Sequence, residues 1–132
     1  MKAVKASIMK AIPTGTFLTC ADNTGAKLVQ VIAVFGYHGV RRRMPAAGVG
    51  NMIKVTVKEG DVKIRKTMSN AVIIRQRAEY RRRDGMRVSF ADNACVLVDD
   101  RGEPKGTEIK GPVAKEAIER FSTLGKISSI VV

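Results

Sequence analysis

Residues 52–58 read MIKVTVK, so that apolar Ile53, Val55 and Val57 alternate with polar neighbours. Because successive side chains of a β-strand point to opposite faces, this alternation places the three apolar side chains on one face. The other face carries Lys54, Thr56 and Lys58. The stretch therefore predicts a strand with one face against a hydrophobic core and one face in solvent.

Short apolar and β-branched runs recur on both sides of this strand. They span residues 17–21, 27–35 (KLVQVIAVF), 71–78 (AVIIRQRA), 87–91 and 95–99. Turn-forming pairs such as Asp84-Gly85 and Asp92-Asn93 separate the later runs. Many short strands with turns between them predict an all-β fold, and a small closed barrel leaves no open sheet edge. We expect a single domain over residues 1–132, with the barrel core at about 1–110.

The last part of the chain has a different period. Gly111-Pro112 precedes VAKEAIERF, in which Ala114, Ala117, Ile118 and Phe121 recur at helical spacing. Pro112 suits a first helical turn, and Glu116 with Arg120 is a favourable i, i+4 pair. The pattern predicts a C-terminal helical segment at about residues 111–132.

The positive charge is concentrated in the middle of the chain. Residues 37–87 hold 14 Lys and Arg against 4 Asp and Glu, whereas the whole chain has a formal net charge of +12. Such an excess on 132 residues indicates a polyanionic partner, and RNA or DNA is the first candidate.

Two arginine triplets dominate this basic region: the first is Arg41, Arg42 and Arg43, and the second is Arg81, Arg82 and Arg83. A guanidinium group stays charged and fits phosphate oxygens with two parallel hydrogen bonds, which favours phosphate contact over a merely solvated loop. Arg75 and Arg77 lie two residues apart on a predicted strand and should project from one face. The alternative for that face is the ordinary wet side of an antiparallel sheet. The predicted RNA-binding residues are Arg41, Arg42, Arg43, Lys54, Lys66, Arg75, Arg77, Arg81, Arg82 and Arg83.

Aromatic residues are few, with four Phe, two Tyr and no Trp. Proteins that grip single strands usually interleave stacking rings with basic residues. Phe17 and Phe35 have the surroundings of core residues. The composition therefore favours a binder of folded RNA or duplex backbone over a platform for single strands.

Other classes of function find little support. His38 is the only histidine, Asp99-Asp100 lack a third carboxylate in the pattern, and we predict no enzyme, no metal site and no cofactor. Cys20 and Cys95 are expected to be buried free thiols in a reducing cytoplasm. No apolar run approaches the roughly 20 residues of a membrane span, and we predict no membrane partner.

Several short segments of the sequence resemble the large-subunit ribosomal protein L-fourteen family in order and spacing. They are residues 21–27 (ADNTGAK), 47–51 (AGVGN), 71–75 (AVIIR), 92–96 (DNACV) and 106–113 (GTEIKGPV). The long basic loop at residues 37–45 and the stretch 75–83 resemble the archaeal and eukaryotic branch, with archaeal favoured. Asn51 departs from the family pattern, which usually has Asp.

The resemblance implies a five-stranded β-barrel with short C-terminal helices, bound to large-subunit ribosomal RNA in the cytoplasm. It also implies a place at the subunit interface, with contact to small-subunit RNA at an inter-subunit bridge. Neighbouring ribosomal proteins would include L-three and L-twenty-four-e. The alternative left open by the residues is a free nucleic-acid-binding regulator or RNA chaperone with an oligonucleotide-binding-type barrel.

Overall fold

The structure, a computed structural model, describes residues 2–4 and 6–132. In chain order its elements are β1 (Ile12–Pro13), β2 (Phe17–Cys20), β3 (Ala26–Val34), β4 (Ala46–Ala47), β5 (Met52–Gly60), β6 (Met68–Arg75), β7 (Tyr80–Arg81), β8 (Arg87–Val88), β9 (Ala94–Val98), β10 (Ile109–Val113), α1 (Lys115–Arg120), a 3₁₀ helix (Ser122–Lys126) and β11 (Ser128–Val131). Strands therefore make up most of the regular structure, as the sequence predicts.

Five strands close into a barrel in the order β2-β3-β5-β6-β9, and β9 returns to β2. Neighbouring strands run antiparallel except at the closure, where Thr19 pairs with Ala94 and Cys20 with Cys95 in parallel. The predicted five-stranded barrel is confirmed.

The hydrophobic core follows the alternation in β5. Ile53, Val55 and Val57 are fully buried, whereas Lys58 is exposed on the other face. Strand β6 is buried along almost all of its length, because the C-terminal segment packs on its outer side. Ala114 N–H donates to the carbonyl of Ile74 at that contact, 3.1 Å away.

Three predictions of local structure need correction. The helix begins only at Lys115, because Pro112 and Val113 stay extended in β10, opposite Ile130 and Val131 of β11. The run predicted at 87–91 contributes only β8, which pairs with β7 outside the barrel. Phe17 and Phe35 are not core residues, since 52% and 47% of their surfaces are exposed.

A buried carboxylate holds the closure of the barrel. Asp22 accepts hydrogen bonds from the backbone N–H of Leu97 at 2.8 Å, from the Thr24 hydroxyl at 2.6 Å and from the Cys20 thiol at 3.2 Å. Asn23 exchanges two hydrogen bonds with Thr107, at 2.7 and 2.9 Å. The segments around Asp22 and Thr107 therefore join distant parts of the chain and stabilise the fold.

The N-terminal segment links the peripheral β7–β8 hairpin to the small β1–β4 sheet. Ser7 forms an isolated bridge with Arg81, and Ile12 and Pro13 of β1 pair with Ala47 and Ala46 of β4. Among residues 2–4 and 6–132, no helix combines the length and apolarity needed to cross a membrane.

Candidate nucleic-acid interface

The first arginine triplet lies on a defined turn between β3 and β4. Arg43 N–H donates to the carbonyl of Val40 at 3.1 Å, and the Tyr37 hydroxyl donates to the carbonyl of Arg43 at 3.1 Å. All three arginines are exposed. The turn thus presents three guanidinium groups to solvent from a hydrogen-bonded backbone.

The second arginine triplet lies on the β7–β8 hairpin. Arg81 sits directly opposite Arg87 across this hairpin, and like charges in such a position repel each other. Arg87 is partly neutralised by Glu79, 2.6 Å away, whereas Arg81 and Arg83 are exposed and form no ion pair among the described residues. A phosphate bound here would relieve the repulsion.

Arg82 has a different environment from its two neighbours. Its Nε donates to Glu116 Oε1 at 2.7 Å, and one Nη2 hydrogen bond reaches the carbonyl of Val132 at 2.6 Å. Glu116 is almost fully buried and also accepts from the Tyr80 hydroxyl at 2.8 Å. Arg82 therefore neutralises a buried carboxylate and ties the hairpin to the C-terminal segment.

This buried cluster shifts two pKa values. Burial, and then the hydrogen bond and charge of Glu116, raise the pKa of Tyr80 well above its ordinary value. Burial alone would lower the pKa of Arg82, but the hydrogen bond and charge of Glu116 outweigh it and raise that pKa. Tyr80 is neutral and Arg82 is charged at physiological pH.

The position of Arg75 contradicts the prediction that it projects into solvent. The sequence predicts that it projects from a sheet face beside Arg77, but it is only 7% exposed and lies between β6 and β10. Its guanidinium donates to both carboxylate oxygens of Asp92 and to the carbonyls of Lys110 and Pro112. The strand ends at Arg75, so Arg77 follows a new direction and is exposed.

Lys54 and Lys58 do not form a shared cationic face with Arg75. Lys54 is half-buried, and its Nζ donates to Asn70 Oδ1 at 3.1 Å. Only Lys58 of this pair is exposed. Within the described barrel, Lys54 and Arg75 therefore contact acceptors of the protein, and Lys58 is the exposed cation of the three.

A third basic site lies at the tip of the β5–β6 hairpin, residues 61–67, which we call the hairpin tip. Lys63, Arg65 and Lys66 are exposed there. Asp61 N–H donates to the carbonyl of Gly25 at 3.1 Å, and Lys66 N–H to the carbonyl of Val57 at 2.9 Å. The predicted RNA-binding residues include Lys66 but not Lys63 or Arg65. The presence of three cations within four residues could have identified this basic site from the sequence.

Two of the predicted contact residues have unusual backbone conformations. Within the described part of the chain, Arg42 (φ +64°) and Lys66 (φ +65°) are the non-glycine residues with positive φ. This conformation is disfavoured for a long side chain and occurs preferentially at functional sites. Glycine would adopt this conformation at either position with less strain.

The three basic sites have a fixed arrangement. Ser7 bridges to Arg81 in the second triplet, and Pro13 pairs with the strand that follows the first triplet. Ser7 and Pro13 are six positions apart in the sequence, so these two anchors are at most about 21 Å apart. The hairpin tip precedes β6, whereas Arg77 and the second triplet follow it. The eight residues of β6 extend roughly 25 Å, which places the hairpin tip at the opposite end of the barrel.

The two cysteines are free and buried, as predicted. Hydrogen bonding with Cys20, together with burial and the nearby charges of Cys20 and Asp22, raises the pKa of Cys95 well above its ordinary value. In the described residues no three His, Cys, Asp or Glu side chains lie close enough to hold a metal ion. The lone His38 is exposed in a loop.

Comparison with known proteins gives full-length matches. A family model described as Ribosomal protein L14p/L23e matches residues 11–132. Large ribosomal subunit protein uL14 of Methanoregula boonei is 58% identical over 132 residues, which cover all of both chains. The proteins of the same name from Methanocella arvoryzae and Methanospirillum hungatei are 54% and 53% identical over the same length.

Proposed function

Because the chain belongs to the Ribosomal protein L14p/L23e family, we propose that the exposed arginines of its two triplets and the cations of its hairpin tip hold ribosomal RNA by phosphate contacts. The chain is a structural, non-enzymatic constituent of the large ribosomal subunit, of the archaeal type, and acts in the cytoplasm as part of the ribosome. Ribosomal RNA and other ribosomal proteins are its partners.

The observation that carries the proposal is the separation of the cations into two groups. Of the ten predicted contact residues, Arg75, Arg82 and Lys54 donate to acceptors within the protein. The other seven lie on turns, hairpins or strand ends and are exposed: Arg41, Arg42, Arg43, Lys66, Arg77, Arg81 and Arg83. Lys63 and Arg65 join this exposed group. The barrel fixes where these charges lie, so RNA segments can pack closely against a neutralising surface.

The positions at opposite ends of β6 indicate two RNA contacts. A gap of roughly 25 Å exceeds the reach of any one side chain, so the hairpin tip and the second triplet would contact different phosphate groups. Charges on a rigid barrel would then hold these phosphates at a set distance. This arrangement suits a protein that stabilises folded RNA.

We further propose, on the family resemblance, that the chain takes part in an inter-subunit bridge with small-subunit RNA. The same resemblance names L-three and L-twenty-four-e as neighbours. Cross-linking of intact ribosomes, followed by identification of the residues joined to this chain, tests both points. Adducts to large-subunit components alone would contradict the bridge.

A salt titration tests the phosphate contacts. The full chain is bound to large-subunit ribosomal RNA over a range of salt concentrations, and the slope of log affinity against log salt is measured. About 0.7–0.9 is expected for each phosphate contacted, so six to eight contacts give a steep slope. A nearly flat slope would overturn the proposal.

A further inference from the structure

A cleft beside the end of β3 is lined by an exposed aromatic residue, Phe35, and by two arginines. Its volume is about 290 Å³, and Phe35, Met52 and Phe121 form its apolar wall. Arg101 and Arg120 line the same cleft. The volume lies at the lower limit of small-molecule sites, which span roughly 300–1,000 Å³, and suits one flat ring system.

The backbone holds Phe35 at this surface. Phe35 N–H donates to the carbonyl of Met52 at 3.1 Å, which continues the β3–β5 pairing by one residue. Gly36 follows with φ +75°, so the chain turns away and leaves Phe35 47% exposed. An exposed ring on a fixed backbone provides a stacking surface with little loss of entropy on binding.

The charges in the cleft are unbalanced. Asp100 is its one lining carboxylate, and Asp100 Oδ1 already accepts from Asn70 at 2.8 Å. Arg101 is exposed, and the Nε of Arg120 is buried without a hydrogen-bond partner among the described residues. Two guanidinium groups therefore share the cleft with one carboxylate that already has a partner, so the lining favours an anion.

We propose that this cleft binds one unpaired nucleotide of RNA, with the base against Phe35 and a phosphate between Arg101 and Arg120. This proposal rests on the RNA-binding function above and adds a base contact to a surface otherwise made of phosphate contacts. Unpaired bases of folded RNA commonly stack on aromatic side chains beside arginine. An acidic protein segment would satisfy the charge, but it would leave the exposed face of the ring without a flat partner.

The direct test uses the isotopically labelled full chain and mononucleotides. Uridine and adenosine 5′-monophosphate should shift the resonances of Phe35, Arg101 and Arg120 together, and ribose 5-phosphate should bind more weakly because it lacks a base. Phe35→Ala should weaken mononucleotide binding by about fivefold or more, the lower limit for loss of a stacked base. Phe35→Tyr should retain binding, since it keeps the ring.

Phe17→Ala is the matched control, because Phe17 is a similarly exposed phenylalanine on the barrel surface that does not line this cleft. It should leave mononucleotide binding unchanged. Equal binding of ribose 5-phosphate and mononucleotides, or equal effects of the two alanine variants, would overturn the proposal. The salt slope of ribosomal RNA binding is measured on Phe35→Ala as well, and it should stay steep. This measurement separates an error in the proposal for the cleft from an error in the proposal for the phosphate contacts.

A photoreactive phenylalanine analogue in place of Phe35 extends the test to the assembled particle. Irradiation of large subunits that carry this chain should produce an RNA adduct at position 35. An adduct to a protein alone would show that an acidic protein segment occupies the cleft and would reject the nucleotide. Absence of any adduct would also reject it.

Discussion

Arg75 and Asp92 form a two-point ion pair, with Nε to Oδ1 at 2.9 Å and Nη2 to Oδ2 at 3.1 Å. The side chain of Arg75 is 9% exposed and that of Asp92 is 42% exposed. The remaining guanidinium nitrogen donates to the carbonyls of Lys110 and Pro112, so one side chain joins the end of β6 to β10. An arginine in a basic stretch can therefore belong to the scaffold.

Replacing Arg75 should affect stability and leave RNA binding almost unchanged. Arg75→Leu removes four hydrogen bonds from a buried site, and we expect the free energy of unfolding to fall by about 2–3 kcal/mol. The loss is moderate because the freed Asp92 can be solvated. Denaturant unfolding measures it, with Arg83→Leu as the control. A drop in the salt slope of RNA binding by a still folded Arg75→Leu chain would contradict the scaffold role.

The exposed arginines should behave in the opposite way. Arg81→Gln with Arg83→Gln should leave the free energy of unfolding within about 0.5 kcal/mol, since exposed substitutions away from special sites change it little. The salt slope of RNA binding should decrease by about 1 for each phosphate that the variant no longer neutralises. Filter binding at several salt concentrations measures this decrease. An unchanged slope would exclude this hairpin from the interface.

The strained backbone at Arg42 gives a separate prediction. Arg42→Gly removes the Cβ that disfavours φ +64°, so we expect stability to stay equal or rise by up to about 1 kcal/mol. The affinity for ribosomal RNA should fall, because the variant lacks one guanidinium group. Arg41→Gly is the control: Arg41 does not have positive φ, and this change should not raise stability. Stabilisation by both changes would argue against strain at Arg42.

Tyr80 should give a pH dependence at alkaline pH. Because burial and Glu116 raise its pKa in the folded state, its stabilising contribution is complete below the unfolded pKa of about 10 and is lost as the pH rises above it. Tyr80→Phe should lower the free energy of unfolding by about 1.5–3 kcal/mol at pH 7, since it removes a hydrogen bond to a charged acceptor.

The difference in the free energy of unfolding between the wild-type chain and Tyr80→Phe should then decrease between roughly pH 10 and pH 11. Urea unfolding of both proteins at several pH values measures it. Lysine titration affects both proteins alike, so the difference isolates Tyr80. A constant gap across this range would show that the pKa of the hydroxyl is not raised by folding.

The thiols of Cys20 and Cys95 should resist modification until the protein unfolds. Both are buried, and the raised pKa of Cys95 keeps its thiolate fraction low at neutral pH. A disulfide-exchange reagent should therefore react at a rate that rises steeply with urea concentration. Rapid reaction of either thiol in the native protein would contradict the closed packing between β2 and β9.

Alternation and apolar runs predict four of the five barrel strands closely, whereas the strand predicted at 71–78 is β6, which lies three residues earlier. The alternation in β5 and the apolar runs of β2, β3 and β9 correspond to observed strands to within one or two residues. The helix is predicted to begin earlier than it does, because the segment before it pairs with β11 and stays extended. Strand β11 follows the helix in the sequence, so the helical pattern itself does not reveal this pairing. Tertiary pairing decides the conformation of Pro112 and Val113.

The site is predicted less accurately than the fold, for a physical reason. Sequence shows how many cations are close together but not which of them have acceptors supplied from elsewhere in the chain. Arg75 meets Asp92 and β10, and Arg82 meets Glu116, 34 residues away. Arg81 and Arg83, which flank Arg82, have no such acceptor among the described residues.

The parallel pairing of Thr19 with Ala94 has a consequence for how the chain is made. The barrel cannot close until residues 94–98 have been synthesised and released, although β2 is complete at Cys20. Contacts between such distant residues slow folding, and an unclosed sheet displays unpaired edges. A nascent copy therefore spends most of its synthesis with the seam edge of β2 unpaired, and chaperones that bind unpaired strands have their longest opportunity in that interval.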